Sequence, residues 1–211
     1  MRNAVFFFGS AVLGLMSFSV QAEPPAGLQP DLVRAELWNK FAEQVVALNT
    51  QRLADRQIKQ SEEVERYGGE MGKKYTYREI TYVDASSGQL LGRMRWNQKK
   101  SDEVQMAEVY VYDEQGRLLR DYAFMYLPWA RGAPIRTFVN LHSHENGLHA
   151  YRQFDASGTR TYEHCEGEQN GRRVRLSISE ERIGGEEVQT EEYRVCFAGL
   201  SRTAGALLTP Q

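Results

Sequence analysis

The four histidines of this chain, His142, His144, His149 and His164, fall within one short stretch. Imidazole suits proton transfer near neutrality and the binding of zinc or copper. Asn146-Gly147 lies among them and is the strongest two-residue hairpin signal, since a type I′ turn needs positive φ at both central positions. A hairpin closed there sets Glu145 opposite Leu148, His144 opposite His149 and His142 opposite Tyr151. Cross-strand neighbours hold their Cβ atoms about 4.5–5.5 Å apart. Three imidazoles therefore gather on one side of one hairpin.

The fourth depends on the next turn, Asp155-Ala156-Ser157-Gly158. A two-residue loop sets His149 opposite His164 and Tyr151 opposite Tyr162. A type I turn with a glycine bulge sets Asp155 opposite Thr159, sends His164 to the other face and brings Cys165 into its place. The second form is the commoner one for Asp-x-x-Gly. A set of three or four imidazoles suits a zinc or copper ion, with positions open to water or a ligand. It also suits acid–base work in a hydrolase. The plainer alternative is a polar sheet face rich in histidine.

Cys165 and Cys196 are the two cysteines. An even count favours one disulfide if the chain works outside the cytoplasm. Residues 1–22 give the reason to expect that. Met1-Arg2-Asn3 is a short positive start, 4–20 an apolar run, and Val20-Gln21-Ala22 a signal-peptidase site. Export to the periplasm or beyond follows, with no membrane span in the mature chain.

The elements that position these residues come in two kinds. After a Pro-rich linker at 23–30, Asp31 opens a long amphipathic helix with Val33, Leu37, Phe41, Val45 and Leu48 in a stripe. The polar run 59–66 extends it as a solvated end, and the glycines at 68–72 stop it. From there the period is two. Segments 75–82, 89–96, 106–112, 117–126, 135–144, 148–154, 159–165, 172–182 and 187–197 read as strands, joined by turns rich in Gly, Asp and Asn. The connections are too short for parallel crossovers.

The predicted fold is α+β: one long N-terminal helix on a curved antiparallel meander of eight or nine strands, an open sheet or incomplete barrel. A single domain spans 31–200 and a flexible tail 201–211. One conflict is built in. A simple meander places Cys165 and Cys196 two strand spacings apart, about 9.5 Å, whereas a disulfide needs Cα atoms within about 7 Å.

A net charge of −2 gives no electrostatic case for nucleic acid. There is no G-x-S-x-G elbow, and the glycines near 68–74 lack the spacing of a phosphate loop. His144-Glu145-Asn146-Gly147-Leu148-His149 misses the zinc-protease spacing by one residue. Tyr112-Asp113-Glu114-Gln115-Gly116-Arg117-Leu118 resembles one unit of the YD-type hairpin repeats of bacterial surface proteins. A helix followed by a curved antiparallel sheet is similar in architecture to the periplasmic lipoprotein carriers. That similarity implies a lipid or lipoprotein carrier. A curved sheet covered by a helix also has room for an apolar ligand, with Trp38, Phe41, Trp96, Phe124, Tyr126 and Trp129 as candidate wall residues; the plainer alternative is that these aromatics are ordinary core.

The leading expectation is an exported, non-catalytic binding or accessory protein whose partner is a small ligand or another envelope protein. A zinc- or copper-binding protein, a carrier and a hydrolase are the alternatives.

Overall fold

A computed structural model describes residues 31–68 and 74–210. The expected leader at 1–22, the linker at 23–30 and the glycine-rich run 69–73 lie outside the described residues.

Helix α1, Leu32–Ala54, is followed by nine strands: β1 Ile58–Gly68, β2 Lys74–Asp84, β3 Leu90–Asn97, β4 Lys100–Tyr112, β5 Leu118–Met125, β6 Arg136–Glu145, β7 Leu148–Phe154, β8 Arg160–Gln169 and β9 Arg172–Ser179. Each strand pairs antiparallel with the next, in the order β1 to β9, forming one open sheet. The chain ends with two short 3-10 turns, Glu180–Arg182 and Glu186–Gln189, helix α2, Glu191–Phe197, and a last 3-10 turn at Gly205–Leu208.

Asp31 starts α1 as expected, its Oδ1 accepting from the Arg34 amide at 3.0 Å. The buried stripe is Trp38, Phe41, Ala42, Val45, Leu48 and Asn49, while Val33 and Leu37 are exposed. This stripe packs on β3 to β6. At Gly92 the helix lies close against the sheet. A Cβ there would come within 2.5 Å of Asn49 Oδ1 and 2.8 Å of the Glu108 carbonyl oxygen.

Two expectations about elements are overturned. The polar run 59–66 is not a helix end but most of β1, paired with β2 through eleven residues. Nearly all of it is solvent-exposed, so neither face carries the apolar alternation that reveals a strand. Residues 187–197 are not a strand either. Thr190 caps α2, its Oγ1 accepting from the Tyr193 amide at 3.2 Å, and Glu191 and Glu192 occupy the first turn. Tyr193, Cys196 and Phe197 are then buried on one helical face.

That second change removes the conflict over the cysteines. Cys196 sits on α2, which folds back over the sheet, and its Cα lies 5.9 Å from that of Cys165 on β8, at disulfide distance. Beside this pair Arg152 and Glu163 are fully buried. Arg152 Nε donates to Glu163 Oε1 at 2.5 Å, Nη2 donates to Tyr193 Oη at 3.0 Å, and Nη1 donates to the Leu200 carbonyl. Tyr193 in turn donates to Glu163 Oε2 at 2.9 Å. The segment expected as a loose tail is packed: Ala204 is buried and Leu207 and Leu208 lie against the core.

Candidate functional site

Both helices pack on the same face of the sheet. The histidines occupy the other. The hairpin forms as its turn residues dictate, with φ of 54° at Asn146 and 78° at Gly147. His144 faces His149 and His142 faces Tyr151.

His164 follows neither expected register. The Asp155 turn takes the bulged form: Gly158 has φ of 84° and the Asp155 amide donates to the Thr159 carbonyl at 2.9 Å. Asp155 Oδ1 accepts from the amides of Ser157 and Thr159, each at 2.9 Å. That turn alone would send His164 to the helix side. A second irregularity follows at once, however: Phe154 faces Arg160 but Gln153 faces Tyr162, leaving Thr161 unpaired. The two shifts together return His164 to the histidine face, opposite Tyr151, and put Glu166 opposite His149. Cys165 stays buried on the helix side.

The result is a patch of rings. His144 and His149 stack with centroids 4.6 Å apart and planes 4° from parallel. His142 and His149 lie 5.3 Å apart at 12°. Tyr151 separates His142 from His164, with centroids 5.5 Å from the first and 5.6 Å from the second. Tyr162 completes a triangle with these two, 5.9 Å from Tyr151 and 6.5 Å from His164, its plane 9° from that of His164. Three of the four histidines are thus in one group, and the fourth is joined to it through a phenol ring.

Hydrogen bonds hold the rings in place. Asp121, on β5, accepts from His142 Nε2–H at Oδ2, 2.7 Å away, and from Asn140 Nδ2 at Oδ1, 2.8 Å away. The side chains of His142 and Asp121 are only 7% and 14% exposed. His142 Nδ1 and His149 Nε2 lie 3.0 Å apart and share one hydrogen bond, its direction set by the tautomers. Burial, then the neighbouring His142 and His144, push the pKa of His149 below the ordinary 6.5. His144 donates from Nε2 to the Leu118 carbonyl at 2.9 Å. His164 Nδ1 meets Ser177 Oγ at 3.0 Å, and its Nε2 lies 3.5 Å from Glu166. Asp121, Ser177 and Glu166 were not legible as partners. Two of them come from strands whose register the sequence leaves open, and the third needs both bulges.

Stacking bears on metal binding. Ring nitrogens direct their lone pairs in the ring plane. An ion about 2.1 Å from nitrogens of two face-to-face rings would lie well out of both planes. Among the described residues no group of three or more His, Cys, Asp or Glu side chains is arranged to hold an ion. His142 Nδ1 and His149 Nε2 are the one pair here that point at each other.

The six aromatics proposed as a ligand wall are not brought into one cavity. Trp38, Phe41 and Phe124 are core residues, Trp96 and Tyr126 pack against the core, and Trp129 is exposed and lies by Tyr75. Phe124 and Tyr126 line a shallow recess of about 320 Å³ with Arg131, and Trp38 lines another of about 400 Å³ with Arg34 and Asp155.

Fold and site together define an α+β protein with an open nine-stranded antiparallel sheet, both helices on one face and a ring patch on the other. Comparison with protein families, with curated proteins and with solved structures finds no match.

Proposed function

We propose that this is an exported, non-catalytic binding protein and that its working surface is the ring face of the sheet. The observation behind this reading is a contiguous set of six rings, His142, His144, His149, Tyr151, Tyr162 and His164, on the face opposite both helices. Rings with an apolar face and a polar edge serve binding surfaces well, since they offer contact area at low entropic cost. Export is supported by the leader-like 1–22 and by the cysteine pair, which belongs to an oxidising compartment. Among the described residues no helix is long and apolar enough to cross a membrane. The test is native mass spectrometry of the protein recovered, without chelator or affinity tag, from the extracytoplasmic fraction. The reading expects a chain beginning near Glu23 with a bound species. A bare, full-length chain in the cytoplasm overturns it.

A second reading has its own support. Asp121 behind His142 is the carboxylate–imidazole pair that orients metal-bound histidines. A zinc or copper ion could replace the proton between His142 Nδ1 and His149 Nε2, with the nitrogens opening from 3.0 Å to about 3.4 Å for a tetrahedral ion. Stoichiometric zinc or copper lost in His149→Ala selects this reading. The hydrolase alternative is weaker, because Ser177 and Glu166 beside His164 lie exposed on the open sheet.

A further inference from the structure

Among the described residues the open sheet has two unpaired edges, β1 and β9. Both carry charge, and of opposite sign. β1 contains Glu62-Glu63-Val64-Glu65 and β9 contains Arg172-Arg173-Val174-Arg175. An edge guarded against association would carry like charges at both ends of the sheet. These edges match instead.

We propose that β9 of one molecule adds in parallel to β1 of a second copy, building head-to-tail chains of this protein. Strand direction and face decide the geometry. With nine alternating strands, β1 and β9 run the same way. A copy placed beside β9 with its ring face on the same side therefore presents β1 in parallel. An antiparallel docking of the same two edges would set the ring face of one copy beside the helix face of the next.

In the parallel arrangement one register is favoured. Setting Arg172 beside Glu62 also sets Arg173 beside Glu63, Val174 beside Val64 and Arg175 beside Glu65. The faces agree as well. Glu63 and Glu65 share the ring face with Glu79 and Tyr77, while Arg173 and Arg175 share it with Glu168 and Glu166. Sliding by two residues either way, which preserves the faces, leaves one such charge pair in place of three. Among the described residues Arg172, Arg173, Arg175, Glu62 and Glu63 take part in no ion pair, although Glu168 and Glu166 lie opposite Arg173 and Arg175. Glu65 is paired with Arg95 within its own chain. Val64 is 53% exposed and would be covered. Backbone pairing between edges supplies affinity, and the side-chain match supplies register. A contact of this heterologous kind does not close on two copies.

Sedimentation velocity over a concentration series tests this with the purified protein. The wild type should form species larger than a dimer, and they should shrink as salt is raised, since exposed charges are screened. Two variants carry the discrimination: Arg173→Glu with Arg175→Glu, and Glu62→Lys with Glu63→Lys. All four positions are solvent-facing, and circular dichroism checks that the fold persists. Each variant alone should be monomeric, and mixing the two should restore association as one-to-one pairs, because the first keeps its native β1 and the second its native β9. A monomeric wild type at all concentrations, variants that associate as the wild type does, or a mixture that stays monomeric would each overturn the proposal.

Discussion

At the scale of single residues His149 carries a pH dependence. Burial and two neighbouring imidazoles disfavour its charged form, Glu166 works against them, and His164 adds to them. The unfolded chain protonates this residue near 6.5 while the folded chain resists. Stability present above pH 6.5 is therefore lost as the pH falls through the lower folded-state value. Urea unfolding at about pH 7.5 and pH 5 should show that loss, and His149→Gln should reduce it. An equal loss in the variant would assign it to other groups. Asp121 makes a separate case. Asp121→Asn keeps the shape but removes the charge that fixes the His142 tautomer, and if the ion-binding reading is right it should weaken zinc or copper about 10–100-fold by calorimetry. The hairpin pairs around Asn146-Gly147 were legible because that turn admits one register. Asp121 was not, because the connection from β5 to β6 is long and fixes no register.

At the scale of elements, α2 is tied down by a buried ion pair and a disulfide. Arg152→Met leaves the buried Glu163 with only the longer 3.3 Å contact to Arg160 and should cost about 3–5 kcal/mol in chemical denaturation. Replacing both, as Arg152→Met with Glu163→Leu, should recover much of that cost, since an apolar pair needs no compensation. Removing the Cys165 and Cys196 bond by double serine substitution should cost roughly 3–4 kcal/mol from the loop it closes. The same elements show where sequence patterns fail. Tyr193, Val195 and Phe197 suggest alternation, yet Thr190 with two following glutamates is a helix start. The cap was the better signal, and the cysteine distance was the warning. β1 failed for the opposite reason: an edge strand exposed on both sides has no core face to write its period into the sequence.

At the scale of the whole molecule the helices and the rings divide the sheet between them. One face is a core built from Trp38, Phe41, Val45, Tyr122, Phe154 and Cys165. The other is left to the polar rings. The antiparallel meander and the long helix were legible from turn glycines and the apolar stripe. The number of strands was too, although one expected strand became a helix and one expected helix end became a strand. Head-to-tail pairing would set successive ring faces side by side and make capture of a repeated ligand multivalent.

If the ring face holds the ligand, its imidazoles must report it. Two-dimensional imidazole spectra of the four histidines are recorded on the protein as isolated and again after unfolding, removal of bound species and refolding. A ligand on the ring face shifts the nitrogens of His142 and His149 between the two states, and adding back the removed fraction reverses the shift. Identical spectra, with a bound species present in the first sample, would place that species elsewhere and overturn the ring face as its seat.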